Sequence, residues 1–167
     1  APSDPHGWAV RGILLYRLER FEAAIEILQR ALELRPDWAE IMGTLGNAFW
    51  QVERTHEAAE ILERAGLLAP DMASLWATLG AARRDTRNLA GAEAAYGEAL
   101  RQAPNMGSYA LSLALVQIRE KKFAEGYRNY ERRWETTGFA DQARPFTHTP
   151  WDGTDLTGKK ILVFAEQ

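Results

Sequence analysis

A chain of 167 residues amounts to one ordinary domain, or a short array with a fragment attached. With 46% hydrophobic and 26% charged residues it reads as a soluble, folded protein rather than a disordered one. A net charge of −3 argues against a nucleic-acid partner, and the absence of cysteine rules out disulfides and thiolate zinc sites and fits a cytoplasmic setting.

No apolar run approaches the roughly 18 residues needed to cross a bilayer, so no membrane partner is expected. The first residues, "APSDPHGW", lack the basic start and apolar core of a signal peptide.

Internal periodicity sets the predicted elements. Pro2, Pro36, Pro70 and Pro104 are each 34 residues apart. Gly12, Gly46 and Gly80 share a second column, completed by Ala114. Ala24, Ala58 and Ala92 share a third, completed by Gly126, and Ala31, Ala65 and Ala99 a fourth. Trp8, Met42, Trp76 and Ala110 correspond, as do Leu28, Leu62, Tyr96 and Tyr130.

In chain order the period places helices near 5–18 and 21–34, 39–52 and 55–68, 73–86 and 89–102, and 107–120 and 123–135. Small residues at Gly46, Gly80, Ala58 and Ala92 let the two helices of a pair approach. A large side chain there would overpack the contact. Each proline follows a second helix and stops it. Pro2 is in register with these closing prolines, so the first residues read as the tail of an earlier unit in a longer array. The fourth unit is degenerate: Arg133 replaces the usual Ala, and Gly138 stands where a proline is due. Its "NYERRWE" reads as a closing helix, with Tyr130 and Trp134 on one face.

This pattern resembles the tetratricopeptide repeat (TPR). The segment 76–104, "WATLGAARRDTRNLAGAEAAYGEALRQAP", matches the family at Trp76, Leu79, Gly80, Ala92, Tyr96, Ala99 and Pro104, and departs from it at Arg83. The resemblance implies an all-α, right-handed α-solenoid of about four helix pairs over residues 1–135. Its units are 5–36, 39–70, 73–104 and 107–135, and a short extended or β segment follows at the C-terminus.

In that family the first helices line a concave groove that binds partners. Carried over by position, the candidate groove residues are Tyr16, Arg17, Asn47, Trp50, Gln51, Arg84, Asp85 and Arg119, among small residues such as Ala9 and Gly43. Aromatics beside arginine suit an extended peptide. The fourth unit instead offers an apolar stripe, Leu111, Leu115 and Ile118. Such a stripe marks a contact, with the chain's own C-terminal part, another copy of the chain or a separate partner as candidate occupants. The Lys, Asn and Arg clamp of chaperone-binding TPR domains is missing, since only Asn47 survives of it. For Asn47, a surface amide and a ligand contact both stay open.

Catalytic chemistry is not visible. His6, His56 and His148 have no metal-ligand spacing, and "HEAAE" at 56–60 has Glu60 where a second zinc histidine would stand. No cofactor, metal site or catalytic set is expected in this fragment. Gly153 to Lys159 fits G-x-x-x-x-G-K, but Lys160 replaces the required Ser or Thr, and the loop precedes rather than follows the strand expected at Ile161–Ala165.

That unbroken apolar run reads as a strand buried on both faces. The closing segment resembles the junction of bacterial TPR proteins with a C-terminal glycosyltransferase-like domain. The match is carried by Tyr130, Glu131, Arg133, Trp134, Pro150, Trp151, Gly153, Leu156, Gly158, Lys159, Leu162, Glu166 and Gln167. It implies a linker at 136–150 and, at 151–167, the first strand of a truncated or missing α/β domain. An extended tail closing the solenoid is the other reading. The expected tail lies over Leu111, Leu115 and Ile118, or docks on another copy.

The sequence thus points to a protein-binding module, part of a larger glycosyltransferase-like protein or else a stand-alone scaffold.

Overall fold

The computed structural model describes residues 4–135 and a turn at residues 157–158. The expected linker at 136–150, the strand at 161–165 and the docking of the tail lie outside the described residues.

Over residues 4–135 the chain forms four helix pairs. They are α1 (Pro5–Arg17) with α2 (Phe21–Leu34), α3 (Ala39–Gln51) with α4 (Thr55–Leu68), α5 (Ala73–Asp85) with α6 (Leu89–Gln102), and α7 (Gly107–Arg119) with α8 (Phe123–Tyr130). A 3-10 helix, Glu131–Glu135, follows α8. The first seven helices fall within one residue of the periodic expectation. Each helix packs on the next in sequence, and α1 also touches α3 and α3 touches α5. Among the described residues no two second helices pack on each other to that extent, so the first helices share one face of an all-α solenoid.

The glycine column makes each pair possible. A Cβ on Gly12 would stand 2.5 Å from Leu28, one on Gly46 2.5 Å from Leu62, and one on Gly80 2.8 Å from the Tyr96 ring. These separations are far inside van der Waals contact. Leu28 and Leu62 are fully buried against the bare backbone, each worth about 1.5–3 kcal/mol relative to exposure.

Each pair turns on the same device. Arg20 N–H donates to the Leu15 carbonyl and Glu19 N–H to that of Tyr16, a Schellman closure of α1. The same two bonds recur at Arg54 and Glu53, at Asn88 and Arg87, and at Lys122 and Lys121. The pivot residue is left-handed each time: Glu19 (φ 56°), Glu53 (62°), Arg87 (61°) and Lys121 (65°). None of the four is glycine or asparagine, so each turn carries backbone strain that a glycine would relieve.

At the middle junction the Trp76 indole lies over Gly66, where a Cβ would come within 3.0 Å of the ring, and its Nε1 donates to the Pro70 carbonyl at 3.0 Å. The corresponding positions are Leu32 with Met42 before it and Leu100 with Ala110 after it. Arg83, the departure from the repeat pattern, also bridges units: its guanidinium pairs with Glu63 of α4 at 2.8 Å and donates to the Gly91 carbonyl of α6.

The fourth pair exchanges the small residues, with Ala114 in the glycine column and Gly126 in the alanine column. A Cβ on Gly126 would meet Ile118 at 2.7 Å. The closing helix also differs from expectation, since α geometry stops at Tyr130 and residues 131–135 are 3-10. Arg133 sets this segment apart from the other second helices. It occupies the column of the buried Ala31, Ala65 and Ala99, is itself buried, and places its guanidinium 4.4 Å from the Tyr130 ring centroid.

Two substitutions separate tight from open glycines. Gly46→Val should lose roughly 1–3 kcal/mol by overpacking Leu62. Gly97→Ala, in mid-helix with nothing within 4 Å of its Cβ, should gain about 0.5–1 kcal/mol. Urea unfolding midpoints check both, and a Gly46→Val protein as stable as the parent contradicts the packing account. By the same measurement Glu19→Gly should stabilise the chain, by about 0.5–1 kcal/mol, through release of the left-handed turn.

Candidate functional site

The candidate row lies at the C-terminal ends of the first helices. Tyr16, Trp50, Arg84 and Ile118 correspond by repeat, as do Arg17, Gln51, Asp85 and Arg119. Because α1, α3 and α5 stack side by side, the period brings residues far apart in sequence onto one face. Trp50 Nε1 donates to Asp85 Oδ2 at 2.8 Å, linking α3 to α5. Arg84 Nε donates to the other carboxylate oxygen of Asp85 at 2.9 Å. Tyr16 is half-buried against Phe21, ring centroids 5.5 Å apart.

Arg17, Gln51 and Arg119 are exposed, and Asn47 is half-buried. Among the described residues, Arg17 and Arg119 have no carboxylate partner. Both sit in the last turn of a helix, where the backbone carbonyls favour a cation. Asp85 is held by Trp50 and Arg84, so the outward charge of the row comes from Arg17 and Arg119. Aromatic edges beside guanidinium groups suit a carboxylate-bearing extended segment.

Several expected groove positions lie elsewhere. Ala9 and Gly43 are buried, and a Cβ on Gly43 would come within 2.4 Å of Leu75, so this column carries the contact between successive first helices. The apolar stripe of α7 is interrupted. Leu115 is exposed and Leu111 half-buried, but Ile118 is half-buried with its Cγ1 against Gly126 of α8. Ile118 therefore belongs to the α7–α8 contact.

The sequence reading also missed a polar junction. Gln117, buried, donates to Glu93 of α6 at 3.1 Å and accepts from Asn129 of α8 at 2.9 Å. Lys122 donates to Glu93 and to Glu120. The Lys122 ammonium, helped by the Gln117 amide, holds the Glu93 carboxyl below its ordinary range against the opposing effect of burial. The available signal was the column Leu15, Phe49, Arg83, Gln117, whose polar members each reach into the preceding pair. A hollow of about 630 Å³ lies away from the row, between α2 and α4 over Met42, Leu45 and Phe49.

Among the described residues no group of three His, Cys, Asp or Glu could hold a metal ion. No helix there is long and apolar enough to cross a membrane.

A solenoid of helix pairs with a side-chain row on its first-helix face defines a helical-repeat scaffold. Two tetratricopeptide repeat models match, over residues 8–65 and 44–106, and the chain is of the tetratricopeptide-repeat type. Solved structures agree on the fold. The crystal structure of MamA is 20% identical with a TM-score of 0.79, covering 86% of this chain and 84% of that one. MamA 41-end from Desulfovibrio magneticus RS-1 is 21% identical with a TM-score of 0.76, covering 84% and 77%. PilF of Pseudomonas aeruginosa is 21% identical with a TM-score of 0.72, covering 87% of this chain and 64% of its own. Identities this low speak to the fold alone. Comparison with curated proteins gives no match.

The Glu93 junction has a pH signature. A depressed carboxyl stabilises the fold above its unfolded pKa, about 4.3, and the contribution fades as pH falls toward the lower folded value. The stability gap between the parent and Glu93→Gln should therefore be present at neutral pH and close on acidification below about pH 4. Chemical denaturation across pH reads it, and a gap independent of pH contradicts the assignment.

Proposed function

We propose that the chain is a non-catalytic interaction module whose first-helix face holds an extended peptide or a segment of a partner protein. The observation that carries the reading is the Trp50–Asp85–Arg84 contact. It joins two repeat units and sets an indole and a guanidinium side by side on the shared face. Repeat arrays of this class present extended binding surfaces of this kind. Arg17 at one end and Arg119 at the other bracket the row, and both are exposed. The partner chemistry that fits is a segment with carboxylates flanking an apolar or aromatic side chain.

The resemblance of residues 130–134 and 150–167 to the TPR–glycosyltransferase junction supports a finer reading. The array would precede a sugar-transferring domain in a larger cytoplasmic bacterial protein and hold the acceptor or a partner for it. A stand-alone scaffold is the alternative. The reading frame past Gln167 separates them: a glycine-rich turn and a long α/β sequence support the first, a stop codon the second.

The groove itself is tested by selecting binders from a displayed peptide library. Acidic peptides should be enriched on the parent chain. Arg17→Glu and Arg119→Glu should each weaken their binding about tenfold, or roughly 1.4 kcal/mol, with helical content unchanged. Selected peptides that bind both variants as tightly as the parent contradict the groove assignment.

A further inference from the structure

Among the described residues, each junction between successive pairs leaves a gap between two second helices, floored by the first helix between them. At the second junction Arg83 of α5 crosses this gap. Its guanidinium pairs with Glu63 of α4 at 2.8 Å and donates to the Gly91 carbonyl of α6 at 3.4 Å. At the third, Gln117 of α7 crosses it and bonds both Glu93 of α6 and Asn129 of α8. At the first junction the same column holds Phe49, which cannot bridge in this way. Neither a hydrogen bond nor an ion pair joins α2 to α4 among the described residues. The gap stays open there as the hollow of about 630 Å³.

The open gap keeps the polar groups that a bridge would use. Gln29 of α2 shares the column of Glu63, and Glu60 lines the hollow from α4. Both are exposed, and neither has a hydrogen-bond or ion-pair partner among the described residues. The floor between them is apolar, built from Met42, Leu45 and Phe49. The two walls are acidic overall. Helix α2 carries Glu22, Glu26 and Glu33 against Arg30, and α4 carries Glu57, Glu60 and Glu63 against Arg64.

An oxygen acceptor on each wall above an apolar floor is matched by a group with a cationic tip and an apolar stem. A guanidinium suits this arrangement better than an ammonium, because its planar fork bonds two acceptors at once. Arg83 shows the same fit one junction further along. The Phe49 ring already takes one guanidinium, that of Arg54, at 4.5 Å from its centroid. Arg64, one turn beyond Glu60, also lines the hollow. Its charge repels a second cation, so a single arginine fits where a basic run does not.

We propose that the hollow between α2 and α4 is a second binding site, which takes one arginine of a partner protein together with an apolar residue beside it. The guanidinium reaches Gln29 and Glu60 and supplies the bridge that Arg83 and Gln117 make at the other junctions. The apolar neighbour covers Met42 and Leu45. The site shares no residue with the Trp50, Arg84 and Asp85 row, so it stands apart from the groove reading and selects a partner segment of opposite charge.

A random displayed-peptide library tests this, selected on the full chain after depletion on Glu60→Lys, with circular dichroism checking that each variant folds. Peptides with one arginine beside an apolar residue should be enriched. A synthetic peptide of the enriched sequence should bind Glu60→Lys about tenfold more weakly than the parent. Replacing its arginine by citrulline, which keeps the shape and removes the charge, should cost about as much. Gln29→Arg, which supplies a guanidinium from the chain itself, should block the peptide. Arg17→Glu and Arg119→Glu should leave its affinity unchanged, which separates the hollow from the groove. Recovery of peptides without arginine, equal binding of the citrulline peptide, full binding to Gln29→Arg, or dependence on Arg17 or Arg119 overturns the proposal.

Discussion

The structure depends on one steric constraint, the approach of a bulky second-helix side chain to a first-helix backbone that carries no Cβ. At Gly12, Gly46 and Gly80 the space of a methyl group is already occupied by Leu28, Leu62 and Tyr96. That contact sets the separation within a pair and buries Leu28, Leu62 and Tyr96. The four Schellman closures then turn each first helix into its second with the same geometry. Stacking such pairs puts the first helices on one face, and only then do Trp50 and Asp85, 35 residues apart, come within hydrogen-bonding distance.

The units repeat internally but join differently. Gly66 receives Trp76 at one junction, and the matching positions are Leu32 with Met42 and Leu100 with Ala110. The combinations are leucine with methionine, glycine with tryptophan and leucine with alanine, so the junctions are not interchangeable. The column Leu15, Phe49, Arg83, Gln117 grades from apolar to polar, and its polar members find partners in the preceding pair, Glu63 and Glu93. Specific polar pairing of this kind fixes neighbour order at little net gain in stability.

The helices were legible because their signal is periodic. Proline, glycine and alanine columns repeat 34 residues apart, and packing enforces each of them. The turns were less so. Glu19, Glu53, Arg87 and Lys121 adopt a conformation that sequence usually announces with glycine or asparagine, and here charged residues fill it. The groove row was carried over by position, but its hydrogen bonds could not be, since they depend on the stacking of two units. Ala9, Gly43 and Ile118 misled for the opposite reason: small or apolar residues on a helix face look alike whether they line a groove or meet a neighbour. Arg133 in an alanine column marks the fourth unit as degenerate, but nothing in the sequence announces the change to 3-10 geometry.

Native-state hydrogen exchange on dilute protein tests the central claim most directly, because it reads the stability of each unit separately. Pairs closed by a glycine contact and flanked on both sides should hold longest. Amides of α3 to α6 should show the greatest protection, with a decline toward α1 at one end and α8 at the other. Equal protection from α1 to α8, or slower exchange at the ends than at Gly46 and Gly80, would contradict an array held together pair by pair.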